Sequence, residues 1–208
     1  MTTRTTTAGF VAALAAAALV LAGCSTDDGT DGHSMDSMSS MTTSAQESGE
    51  MSSEHNAADV AWTQMMIPHH QQAVEMAALA EGRTENPQLL ALAEQIEAAQ
   101  DPEIKQMTGW LAAWGAPTMT GAEMDHSMHG DDMGGMMSDE QMTQLENSTG
   151  AEFDRAWLEM MIAHHQGAVE SSKQIEADGQ NPEVRELAAA IIAGQQTEID
   201  QMTAMLGR

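Results

Sequence analysis

An internal duplication constrains the fold of this chain more than any other feature. The motif Trp-x-x-Met-Met-Ile-x-His-His-Gln begins at Trp62 and again at Trp157, 95 residues later. The second part of each copy keeps the same spacing, since Asn86-Pro87 returns as Asn181-Pro182. The two copies align without an insertion or deletion. This predicts two copies of one structural unit packed around a shared core.

Each copy is predicted to form a helical hairpin. From Trp62 onward, apolar side chains recur every three or four residues, the period of a helix with one buried face. Gly82 falls near the end of this helix, and the Asn-Pro pair that follows suits an N-cap and the first helical position. Because neither hairpin can bury its apolar face alone, we expect the two to pair as an all-α, four-helix bundle.

Two local features are expected within the hairpins. Thr149 and Glu152 have the spacing of a capping box at the start of a helix. Pro102 should kink the second helix of the first hairpin, or restart it at Asp101.

Composition divides the chain into five segments. They are a signal peptide (1–23), a Met/Ser/Asp-rich tether (24–53), the first hairpin (54–114), a Met/His/Asp-rich linker (115–148) and the second hairpin (149–208). The tether and the linker hold few aliphatic side chains, so they cannot bury enough apolar surface to offset the entropy of ordering. Both are therefore predicted to be flexible.

The N-terminal segment has the pattern of an exported protein. Arg4 precedes a short apolar run that ends in Leu21-Ala22-Gly23-Cys24. This ending resembles the lipobox of bacterial lipoproteins, which implies lipidation of Cys24 and an extracytoplasmic protein anchored to the cell membrane. An ordinary signal peptide with an incidental cysteine is the alternative.

The charge balance restricts the possible partners. With 7 basic and 32 acidic residues, the net charge is −25. Such a polyanion repels nucleic acid and attracts cations. Metal ions are the expected partners, together with an envelope protein that could receive or supply the metal.

Polar side chains interrupt the predicted apolar face of each hairpin at matching positions. His69 and His70 lie on or beside the inward face of the first helix, and Gln100 and Glu103 interrupt the apolar stripe of the second. A carboxylate on a core face is costly unless it is paired or bound to a cation. The inward polar set is Asp59, His69, His70, Gln100, Glu103, Asp154, His164, His165, Gln195 and Glu198. It is interpreted either as a metal centre, in which the Asp, Gln and Glu side chains support the metal-binding histidines, or as a metal-free hydrogen-bonded network.

Methionine supplies a second class of candidate ligand. Met65 and Met66 lie one helical turn before His69 and His70, although methionine on a helix can also be ordinary core filling. Thioether and imidazole together suit Cu(I) and the similarly soft Ag(I), whereas imidazole with carboxylate can bind Cu(II). Auxiliary metal-binding arms are predicted in the tether and linker at His33, Met35, Met38, Met124, His126, Met128, His129 and Met133. Unselected drift in a solvated linker is the alternative for these residues.

The duplicated motif, followed in each copy by Gln-x-x-Glu-Ile-x-x-Met, resembles the domain-of-unknown-function 305 family over residues 55–114 and 150–207. This resemblance implies a ferritin-like four-helix bundle and an association with copper handling in the bacterial cell envelope. By motif, the implied metal positions are Met65, Met66, His69, His70, Met160, Met161, His164 and His165, with Met107 and Met202 as possible additions.

Three functions are compatible with these patterns. The favoured one is a non-enzymatic, lipid-anchored protein that binds copper, preferentially Cu(I), for sequestration or delivery in copper tolerance. A ferritin-like metal oxidase is the second, although the only Glu-x-x-His sequence, Glu123 to His126, lies in the linker rather than on a predicted helix. A structural or interaction module of the envelope, without metal, is the third.

Overall fold

The computed structural model describes residues 52–119 and 134–207. Regular structure within them is helical. The helices are α1 (Ala57–Ala78), α2 (Pro87–Trp114), α3 (Asp139–Asn147), α4 (Gly150–Asp178) and α5 (Pro182–Met205). α1 packs along α2 and α4 packs along α5, and the two hairpins meet mainly through α1 and α4. The predicted all-α, four-helix bundle of duplicated hairpins is confirmed.

Asparagine residues start three of the four bundle helices. The side chains of Asn86 and Asn181 accept hydrogen bonds from backbone N–H groups in the first turns of α2 and α5, and a proline follows each of them. At the start of α1, Asn56 forms a capping box with Asp59. These bonds satisfy N–H groups that have no partner within the helix.

One local prediction was wrong and a second was wrong in part. The Thr149 side chain makes no capping bond to α4, whereas capping boxes occur at Asn56 and, with Gln141, at Ser138. The kink expected at Pro102 stays a prediction, but α2 does not restart at Asp101, because it runs as one helix through Pro102. This proline is exposed on a helix that is buried on its other side, so packing holds both flanks while water can reach the carbonyl that loses its N–H partner.

The apolar core consists of two clusters. One contains Phe153, Trp157 and Met76, and the other contains Trp62, Trp110 and Leu111. The Trp157 indole N–H donates to the carbonyl of Met76, 2.7 Å away, so the buried ring also joins α4 to α1. Both hairpins contribute residues to each of the two clusters.

The end of the predicted linker is ordered, which differs from the flexible segment expected there. Ser138 and Gln141 cap α3 reciprocally, and Leu145 is fully buried against the bundle. Just before α3, Met137 lies in the core. Sequence reasoning missed this because Met137 and Leu145 are isolated apolar residues in a polar segment.

Asp59 joins backbone segments at one end of the bundle. One of its carboxylate oxygens accepts hydrogen bonds from the backbone N–H groups of Asn56, Gln180 and Asn181 at 2.8–3.1 Å. Its counterpart Asp154 accepts a single bond, from the Asn86 side chain at 3.4 Å. The described contacts thus place both aspartates at the loops between helices, whereas the sequence suggested that they support the histidines.

Several predictions fall outside the described residues. These are the segments 1–51 and 120–133, with Cys24 and the arm residues His33, Met35, Met38, Met124, His126, Met128, His129 and Met133. None of the described helices is long and apolar enough to cross a membrane.

Candidate metal centre

The centre of the bundle contains a closely packed, mutually tilted pair of histidines from the two repeats. His69 on α1 and His164 on α4 have ring centroids 3.8 Å apart, with an angle of 39° between the ring planes. Each is almost completely shielded from solvent. The duplication produces this contact, because the two helices that carry the motif pack against each other.

Burial keeps this histidine pair neutral. Desolvation, followed by the neighbouring charge of His70, lowers the pKa of His69 from 6.5 to about 3. Desolvation also lowers the pKa of His164 well below 6.5, with further contributions from His69 and His165. Near neutral pH both rings therefore retain a nitrogen lone pair, the form in which imidazole binds metal ions.

The other two histidines are each paired with a glutamate. His70 Nε2 lies 2.7 Å from Glu103 Oε2, and His165 Nε2 lies 2.8 Å from Glu198 Oε2. In a neutral ring the carboxylate fixes the hydrogen on Nε2, which leaves the lone pair on Nδ1. The Nδ1 atoms of both rings are buried and have no hydrogen-bond partner.

The two His–Glu pairs have different surroundings. Gln95 donates from Nε2 to the second carboxylate oxygen of Glu198 at 3.0 Å, and this glutamate is 7% exposed. The Glu103 side chain is 22% exposed, and its described hydrogen bond is the one to His70. Gln95 is matched by Ala190 in the second repeat, so the sequence itself makes the pairs unequal.

A short segment, residues 134–138, lies over the His69–His164 pair. We call this segment the strap. Its Gly134 carbonyl accepts a hydrogen bond from His69 Nε2 at 3.2 Å. Because a carbonyl oxygen only accepts, this bond places the hydrogen on Nε2 and leaves the lone pair on Nδ1.

Two buried glutamines, each three residues before one of the paired glutamates, have side-chain atoms without a hydrogen-bond partner. Gln100 and Gln195 are 2% and 4% exposed, and neither side-chain nitrogen nor oxygen of either residue has a protein partner. Both ring nitrogens of His164 are likewise buried without a hydrogen-bond partner. Buried polar atoms are nearly always satisfied, so this set indicates a bound water or ion.

The predicted methionine ligands differ in their exposure. Met66, Met107, Met161 and Met202 are completely buried, whereas Met65 and Met160 are partly exposed. Met66 and Met107 belong to one apolar cluster, and Met161 and Met202 belong to the other. Each repeat thus places two buried thioethers in the core, one of them a turn before its His–Glu pair.

Oxygen and nitrogen ligands alone do not complete a metal site here. In residues 52–119 and 134–207, no three His, Cys, Asp or Glu side chains converge as a ligand set. A two- or three-coordinate soft ion held by imidazole and thioether does not require that convergence.

Sequence reasoning missed the roles of Gln95, of Gln72 and of the strap. The signal was present where the two repeats differ. Gln95 aligns with Ala190, and Gln72 aligns with Gly167. At both positions the polar residue makes a hydrogen bond that its smaller counterpart cannot make.

Comparison with known proteins finds a matching family and similar solved structures. The family described as Domain of unknown function (DUF305) matches residues 59–206. A DUF305 protein from Streptomyces coelicolor, named as a candidate secreted protein, is 30% identical, with 72% of this chain and 92% of that chain covered and a TM-score of 0.65. A DUF305 fragment from Deinococcus radiodurans is 32% identical, with 74% and 97% covered and a TM-score of 0.65.

A further similar structure contains copper. CopM in its Cu(I)-bound form is 32% identical, with 71% of this chain and 94% of that chain covered and a TM-score of 0.59. CopM is also known in Cu(II)-bound and Ag-bound forms. No curated protein matches this chain significantly.

Proposed function

Because the chain belongs to the DUF305 family, we propose that it is a non-enzymatic, extracytoplasmic protein that binds copper, with Cu(I) preferred. It would sequester copper or deliver it to an envelope partner, and so contribute to copper tolerance. Binding of Cu(I), Cu(II) and Ag by the similar protein CopM supports copper as the cargo.

The observation that carries this proposal is the set of unsatisfied polar atoms in the core. Three histidines present buried Nδ1 atoms without partners, and His164 has two free ring nitrogens. Burying such groups costs free energy unless something binds them. Because His69 and His164 are both neutral, a cation can bind their imidazole nitrogens without first displacing a proton.

Buried sulfur argues for a soft ion. Met66 and Met161 lie one turn before His70 and His165, and all four side chains are fully buried. Thioether with imidazole favours Cu(I) and Ag(I) over Mg²⁺ or Ca²⁺. In this proposal Glu103 and Glu198 orient the rings, and the net charge of −25 raises the local concentration of cations.

Titration with Cu(I) tests whether the helical core is a binding site. Two forms are compared anaerobically against a competing chelator: the chain from residue 25, and a form without residues 25–51 that carries serine at Met124, His126, Met128, His129 and Met133. We expect the second form to retain tight binding, because the histidine core is unchanged. Loss of binding together with the arms would exclude the core as the copper site.

The proposed anchor at Cys24 makes a separate prediction. The wild-type chain should incorporate labelled fatty acid in a bacterial host and fractionate with membranes. Cys24→Ser should do neither, because it removes the sulfur atom that would carry the lipid. Membrane association that survives this substitution would contradict the anchor without affecting the copper proposal.

The His–Glu bonds also favour a second candidate. His70–Glu103 and His165–Glu198 could be structural pairs that fix how the two hairpins dock, in a module that binds another envelope protein. A bundle that shows no copper affinity in the titration above would favour this function.

A further inference from the structure

The strap contacts both α1 and α4 where it passes over the His69–His164 pair. On the α1 side, the Gln72 side chain makes two bonds with the backbone of Met137: its Nε2 donates to the carbonyl at 2.8 Å, and its Oε1 accepts from the N–H at 2.7 Å. Between these bonds and α4, the Gly134 carbonyl accepts from His69. The strap is therefore fixed by side chains of the same helix that carries His69.

On the α4 side, the strap touches the helix backbone directly. Gly135 has φ +86°, and a Cβ there would lie 2.9 Å from the Cα of His164. At Gly167, one turn after the histidine motif, a Cβ would collide with the carbonyl group of Gly134 and lie 2.9 Å from the nitrogen of Gly135. This close approach requires glycine on both the strap and the helix.

The two holding positions are equivalent in the duplication. Gln72 and Gly167 follow their motif histidines by the same number of residues. One copy grips the strap with a polar side chain, and the other removes its side chain so that the strap can pass. The strap thus crosses both motif helices at the same level of the bundle, beside His69 and His164.

We propose that the strap is a removable wall of the histidine site, and that Gln72 and Gly167 are positioning residues that keep it closed. When closed, it shields the His69–His164 pair and fixes the hydrogen of His69 on Nε2. An ion, or any reagent, reaches this pair when the strap lifts. The inference rests on the proposed function only where it concerns copper, because the shielding is a property of the metal-free protein.

Chemical modification of the metal-free protein tests the wall. Diethyl pyrocarbonate acylates neutral imidazole nitrogen, and tandem mass spectrometry of peptides locates each modified histidine. Gly167→Ala should raise the initial modification rates of His69 and His164 at least about tenfold, because the new methyl group and the strap backbone cannot occupy the same space. Gln72→Ala should raise the same two rates by removing both bonds to Met137.

Matched controls separate strap opening from general loosening. Gly109→Ala also introduces a methyl group on a bundle helix, but a Cβ there meets nothing within 4 Å, so the rates should not change. The partly exposed His55 is an internal reference, and His165, whose Glu198 is braced by Gln95, reports on opening of the whole core. Unchanged rates at His69 and His164 in both strap variants would overturn the proposal. A rise of equal size at His165 would overturn it as well.

Copper transfer distinguishes this inference from the proposed function. If copper occupies the core, Gly167→Ala should release Cu(I) to an excess of chelator at least about tenfold faster than Gly109→Ala does. Faster modification in a protein whose core binds no copper would support the wall and refute the copper site. Tight copper binding with release and modification rates unchanged would refute the wall alone.

Discussion

Replacing His69, His70, His164 and His165 together by glutamine should lower the affinity of the bundle for Cu(I) at least about tenfold, because all four imidazoles are lost as ligands. Glutamine keeps a polar side chain in the core and avoids the cavities that alanine would leave. Affinity is measured by anaerobic competition with a Cu(I) chelator, on the form whose tether and linker arms have been removed.

A surface histidine provides the control for this variant. His55 is partly exposed and stacks on Trp114, with ring centroids 4.6 Å apart. His55→Gln should leave the affinity unchanged. If the fourfold variant retains helical circular dichroism and binds Cu(I) as tightly as wild type, the histidine core is not the site.

The stability of the metal-free protein should fall as the pH is lowered from 7 to 5. The pKa of His69 is about 3 in the folded protein and 6.5 as its ordinary value, so between these values the unfolded chain binds the extra proton. Stability from this group is therefore complete above pH 6.5 and is lost progressively below it. At pH 5 the loss amounts to about 2 kcal/mol for His69, and His164 contributes in the same direction.

Urea unfolding at both pH values measures this loss. The large negative charge acts in the opposite direction, since protonating carboxylates relieves repulsion in the folded state. The decisive quantity is therefore the difference between wild type and a His69→Gln/His164→Gln variant. This variant should lose less stability between pH 7 and pH 5 than wild type does, and equal losses would contradict the neutral buried pair.

The fold could be predicted because both repeats show the same helical period and the same signals for helix starts. Asn86-Pro87 and Asn181-Pro182 start helices as expected, and His70 and His165 point inward to Glu103 and Glu198. These features depend on spacing within one repeat, which a sequence records directly.

The remaining features depend on contacts between the repeats. The close contact between the His69 and His164 rings depends on the relative position of α1 and α4, which periodicity does not specify. Asp59 lies on the inward sector of its helix, but a loop of the other hairpin supplies its partners Gln180 and Asn181. Met137 is buried by tertiary packing that overrides the polar character of its segment.

The strap also explains why a fused pair of hairpins is more capable than two separate ones. A dimer of one hairpin would have identical residues at both holding positions, so it would present either two glutamines or two glycines to the crossing segment. A single chain with two diverged copies can place Gln72 on one side and Gly167 on the other. The strap, which belongs to the linker between the repeats, then becomes part of the histidine site. The two repeats differ at Gln72 and Gly167, where the strap crosses them.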